Sequence, residues 1–133
     1  SDTSYIHDNV YPFYKGAQNI NGSVYTKTIA WDMDESYYNE YVEYDTSRDY
    51  TTYCATVGPN DESDTAAAMR VSVIADGVEV FSADVSLGNP ASVDVLITDV
   101  LRFRLEASSN TTTSFDGDVA WGDAKFVTAD SCG

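Results

Sequence analysis

The sequence predicts an all-β fold, one antiparallel, jelly-roll-like β-sandwich of about eight strands. Three observations predict it. No stretch places apolar residues at the roughly 3.6-residue helical spacing over three turns. Short alternating segments rich in Val, Ile, Thr and Tyr recur along the chain. Turn signals such as Asp76-Gly77, Gly88-Asn89-Pro90 and Gly58-Pro59-Asn60 punctuate them.

The elements follow in order. Val24-Tyr25-Thr26-Lys27-Thr28-Ile29-Ala30-Trp31 reads as one β-branched and aromatic strand, followed by Tyr41 to Tyr44 and Tyr50 to Val57. In Met69 to Ala75, Arg70, Ser72 and Ile74 alternate with Val71 and Val73. Asp76-Gly77 then predicts a tight hairpin into Val78 to Val85. Val93 to Ile97 follows. In Leu101-Arg102-Phe103-Arg104-Leu105 the two arginines fall outside and Leu, Phe and Leu face the core. Val119 to Val127 closes the set. The first 22 residues carry Tyr5, Tyr11, Phe13 and Tyr14 around Pro12 without a strand pattern, so residues 1–22 are expected as a Tyr-rich arm and residues 23–133 as the sandwich. All ten tyrosines lie between Tyr5 and Tyr53, a residue type suited to contact surfaces as well as to a β core.

Charge and cysteines bound the function. Twenty-two acidic residues against seven basic ones give a net charge of -15. Such a surface repels nucleic acid and anionic lipid and suits cations or neutral ligands. No apolar run approaches the roughly 20 residues that span a bilayer, so membrane insertion is not expected. The opening at Ser1 reads as a mature product after signal removal. Cys54 and Cys132, far apart and with only His7 for company, fit a disulfide rather than zinc and place the chain in an oxidising, extracellular or cell-surface setting. The sequons at Asn21 and Asn110 are compatible with export and glycosylation.

Several pieces resemble, in order, the NPCBM family, also met as carbohydrate-binding module family 51. Val42-Glu43-Tyr44-Asp45 resembles a "v-x-Y-d-L" strand with Thr46 in place of the Leu, and Tyr53 to Asn60 resembles "F-x-a-x-V-G-x-D" with Asn60 for the Asp. Met69 to Val80 resembles "v-x-F-x-V-x-x-D-G-x-x-V", keeping Asp76-Gly77. Pro90 to Val95, Leu101 to Leu105 and Trp121-Gly122-Asp123-Ala124-Lys125-Phe126 complete the series. Upstream, Thr28-Ile29-Ala30-Trp31 lacks the His of the family's "G-i-x-x-H-a" strand. The resemblance implies a galactose-binding-like sandwich, sugar binding, and a fold that often holds a structural Ca²⁺.

No nucleophile–base set or open metal site is legible, so no enzyme is expected. Sugar binding asks for an aromatic face and polar partners for hydroxyls, and the candidates are Trp31 and Trp121 with Asp32 and Asn60. Calcium asks for oxygen ligands crowded in loops; Asp61 and Asp64 in one loop and Asp116 and Asp118 in another are the candidates. The partner is then a glycan. The alternative is other copies of the chain, joined through the N-terminal arm into an extracellular filament or cell-surface layer.

Overall fold

The computed structural model describes residues 4–8, 13–15, 17–32, 40–109 and 117–132. Twelve strands are present among them: β1 (Ser4–Asp8), β2 (Phe13–Lys15), β3 (Gln18–Ile20), β4 (Ser23–Tyr25), β5 (Thr28–Asp32), β6 (Glu40–Asp45), β7 (Thr52–Pro59), β8 (Ala68–Ala75), β9 (Val78–Ser86), β10 (Ala91–Leu96), β11 (Arg102–Ser109) and β12 (Asp118–Val127). One five-stranded sheet runs β1-β6-β11-β8-β9 and the second runs β10-β7-β12-β5-β2, while β3 and β4 form a separate hairpin. Every pairing is antiparallel. The predicted sandwich is the observed fold.

Alternation builds the core. Val42 and Tyr44 of β6, Val71 and Val73 of β8, and Phe103 and Leu105 of β11 face inward and are buried. They meet Tyr53, Val57, Val93, Trp31 and Trp121 from the other sheet. Tyr53 and Phe103 lie 4.6 Å apart between ring centroids, with Phe126 at 5.2 and 5.0 Å from them, so one aromatic cluster joins the two sheets. The β8–β9 turn has positive φ at both Asp76 (49°) and Gly77 (83°), the pattern that matches strand twist in a two-residue hairpin. The Asp76 carboxylate also accepts hydrogen bonds from the backbone N–H groups of Leu101 and Arg102, tying this turn to β11.

Two expectations are corrected. The stretch from Val24 to Trp31 is two strands, because the chain bends at Thr26 and Lys27 between β4 and β5. Within residues 1–22, expected without a strand pattern, Ser4–Asp8 and Phe13–Lys15 are strands: β1 pairs with β6 and β2 with β5. Their strand character comes from partners far along the chain, which a local pattern does not show.

The Cys54–Cys132 disulfide is present, with Cα atoms 5.8 Å apart. It pins the segment after β12 to the outer face of β7. The Thr52 hydroxyl donates to the Ala129 carbonyl beside it. That cover, together with the β3–β4 hairpin, leaves β7 buried on both faces rather than alternating.

Candidate functional site

The chain leaves β5 after Asp32 and enters β12 at Asp118, and these two residues are cross-strand partners at one end of the sandwich. The loop after β7 begins at Asn60 at the same end, where its N–H donates to the Asp118 carbonyl. The β3–β4 hairpin also reaches this end, its Asn19 carbonyl accepting from Asp61 N–H. Asp32, Asn60, Asp61 and Asp118, read as separate candidates in the sequence, thus converge. The Asp32 side chain lies outside the described set.

Asn60 is the centre of the arrangement, only 6% exposed. Its Nδ2 donates to Gln18 Oε1 (3.0 Å) and to Asp118 Oδ2 (3.1 Å), and its Oδ1 accepts from Ser63 Oγ (2.9 Å). Ser63 Oγ in turn accepts from the Asp118 N–H at 3.1 Å. Both Asn60 N–H groups are therefore engaged, so its role is to hold Gln18 and Asp118 in fixed geometry. Gln18 keeps its amide nitrogen directed to no described residue. Ser63 approaches so closely that a Cβ on Gly117 would sit 2.7 Å from its side chain, which is why a glycine precedes Asp118.

Beside this network lies an open cleft of about 110 Å³, lined by Ala17, Gln18, Asn19, Asn60, Asp61 and Glu62. Asp61 shapes its wall. Its carboxylate accepts from the N–H groups of Asn21 (2.7 Å) and Gly22 (2.8 Å), clasping the tip of the β3–β4 hairpin. Those two residues carry positive φ, and Asn21 is exposed at the turn. The hairpin is seated by a small second core in which Ile20 and Tyr25 pack on Ala30 and Ala120.

Trp31 and Trp121 do not take the place expected of them. Both are 0% exposed, with ring centroids 6.4 Å apart inside the sandwich, so neither offers a face to a sugar. Strand parity decides this: Trp31 and Trp121 fall on the inward positions of adjacent strands β5 and β12. No aromatic ring lines the cleft among the described residues. The calcium candidates are only partly placed. Asp64 is exposed, Asp61 is committed to the hairpin, and Asp116 and the Asn110 sequon lie outside the described residues. Among the described residues no three acidic, His or Cys side chains come together as a metal site.

Gln18, Ser63 and Gly117 were not legible as site residues. Gln18 stands 42 positions from Asn60, in a segment whose strand pattern is three residues long. Ser63 and Gly117 lie inside the acidic loops 60–64 and 116–118, whose composition points to a metal rather than to this network.

Comparison with known proteins places this geometry. The family model described as the NPCBM/NEW2 domain matches residues 5–127. No curated protein matches. Among solved structures, tandem CBM51 modules of the family 98 glycoside hydrolase from Streptococcus pneumoniae align with a TM-score of 0.68 at 21% identity, covering 87% of this chain and 36% of that one. CBM51-2 in complex with GlcNAc, with the INT domains of Clostridium perfringens ZmpB, aligns at 0.71 and 13% identity, covering 92% and 29%. CBM51 from Clostridium perfringens GH95, in complex with methyl-galactose, aligns at 0.66 and 18% identity, covering 95% and 91%. The chain thus spans about a third of the first of these structures and nearly all of the last.

Proposed function

The chain belongs to the NPCBM/NEW2 domain family, and from that premise we propose that it is a non-catalytic, extracellular carbohydrate-binding module whose sugar site is the cleft at Gln18, Asn60 and Glu62. The observation that carries this reading is the buried Asn60, whose amide donates to Gln18 and Asp118 and accepts from Ser63, fixing Gln18 in the wall of the cleft. A rigid polar frame is what hydroxyl recognition needs, because ordering loose side chains would offset the hydrogen bonds gained. Gln18 supplies a donor and Glu62 an acceptor, a pair complementary to a neutral sugar hydroxyl. The solved modules with GlcNAc and methyl-galactose make these two sugars the first ligands to try.

An extracellular setting is supported by the disulfide, which persists in oxidising compartments. Calcium is proposed on composition alone, for the acidic loops 60–64 and 116–118, and no step in sugar binding is routed through it. The test is calorimetric titration with methyl-galactoside and N-acetylglucosamine. Gln18→Ala is expected to weaken binding about tenfold, one hydrogen bond of ~1.4 kcal/mol. Binding unchanged in that variant, or absent for both sugars and for a wider glycan array, overturns the reading.

A further inference from the structure

On the outer face of the second sheet lies a larger depression of about 270 Å³. Cys54, Ala55, Thr56, Ser92, Asp94, Asp123, Lys125 and Cys132 contribute to its lining. Its origin can be read from the pairing register. Asp94 of β10 and Lys125 of β12 are both cross-strand partners of Cys54, so the three side chains stand in one row with the short one in the middle. In the adjacent row Ser92 and Gly122 flank Thr56. The small Ser92 and Gly122 on either side of Thr56, next to the longer Asp94 and Lys125, lower the surface into a trough. Two neighbouring strand spacings set Asp94 and Lys125 about 10 Å apart across it.

At one end of the trough the Cys54–Cys132 disulfide brings the segment after β12 down onto β7. Beyond Thr56 on the same sheet, Tyr25 covers Gly122 so tightly that a Cβ there would fall 2.6 Å from its ring. The volume sits just below the roughly 300–1,000 Å³ of small-molecule sites, which limits an occupant to about one ring in size.

We propose that this trough is a second ligand site, for a single neutral sugar ring lying over Thr56 between Asp94 and Lys125. The chemistry of the walls selects the class. Asp94 and Asp123 accept hydrogen bonds, Lys125 donates, and Thr56 and Ser92 do either, so hydroxyls on both edges of a ring find partners. Among the described residues the one ion pair of Lys125 is a long contact to Asp123, 3.9 Å, with side-chain exposures of 45% and 64%, and such a surface pair gives way to a ligand at little cost. An anion would meet Asp94 and Asp123, and a cation would meet Lys125. A flat apolar ligand would leave the charged walls unpartnered.

The inference goes beyond the loop-end site and stands or falls separately from it. Backbone amide shifts of the intact, disulfide-bonded protein are followed by NMR while methyl-galactoside, N-acetylglucosamine or lactose is added. The expected result is saturable movement of Thr56, Ser92, Asp94 and Lys125, titrating apart from Gln18, Asn60 and Glu62. Lys125→Ala and Ser92→Ala should each weaken the first set at least threefold and leave the second set's affinity unchanged. Movement confined to Gln18, Asn60 and Glu62 overturns the second site and spares the loop-end one. Movement of the trough set alone supports the second site and overturns the first. Shifts of neither set at saturating sugar overturn both, as do trough shifts unaffected by either substitution for the second site.

Discussion

Gly122→Ala is the substitution that tests how the β3–β4 hairpin is seated. An added Cβ would lie 2.6 and 2.9 Å from Tyr25 Cγ and Cδ1 and 3.1 Å from Ile20 Cδ1, the two side chains that dock the hairpin on β12. Ile20 is 1% exposed and cannot swing away without opening its contact with Ala30 and Ala120. Inserting a carbon into such packing typically costs about 1–3 kcal/mol. With about 2.1 cal/mol/K per residue of unfolding entropy over 133 residues, that lowers the melting temperature by roughly 4–11 °C. The assay is reversible thermal or urea unfolding of four proteins: the parent, Gly122→Ala, Tyr25→Ala and the double variant. If the Tyr25 ring is the obstacle, most of the Gly122→Ala cost disappears in the Tyr25→Ala background, because the cycle removes the clash with its partner. Equal cost in both backgrounds would refute the seating argument. Because Gln18 begins the same hairpin, Gly122→Ala should also weaken sugar binding at the cleft.

Three further outcomes are expected. Replacing Cys54 and Cys132 by Ser opens a loop spanning 78 positions and should cost ~4.5 kcal/mol on the chain-entropy relation, read as a lower urea midpoint; an unchanged midpoint would show that the C-terminal segment is held by other contacts. Asp61→Ala should destabilise the protein equally in chelator and in millimolar calcium, since its carboxylate caps Asn21 and Gly22; a loss seen only with calcium present would make Asp61 an ion ligand instead. Burial, with Tyr44 beside it, pushes the Tyr53 phenol well above its ordinary value near 10, so the folded state keeps a proton that the unfolded chain releases. This contribution is complete below about pH 10 and is lost as the pH rises toward the folded value; Tyr53→Phe should flatten that alkaline limb, and an identical pH profile in the variant would contradict it.

What the sequence determined by itself was whatever is local. Period-two alternation in Met69 to Ala75 and Leu101 to Leu105 fixed which residues share a face, and Asp76-Gly77 fixed a turn, because strand pleat and left-handed φ are properties of neighbouring residues. The only two cysteines fixed a disulfide by elimination. Tertiary structure decided the rest. Trp31 reads from the sequence as a candidate sugar platform, yet its burial depends on the opposing sheet, which no local pattern encodes. β1 and β2 are strands through their pairing with β6 and β5, partners that lie far along the chain for β1 and across a second hairpin for β2. The network beside the cleft joins Gln18, Asn60 and Asp118, with Asn60 separated from the other two by 42 and 58 positions, and the antiparallel register of β12 and the seating of the hairpin on Gly122 bring them within hydrogen-bond distance. A polar site of this kind is written in distances between strands, and those are set when the two sheets close over one core.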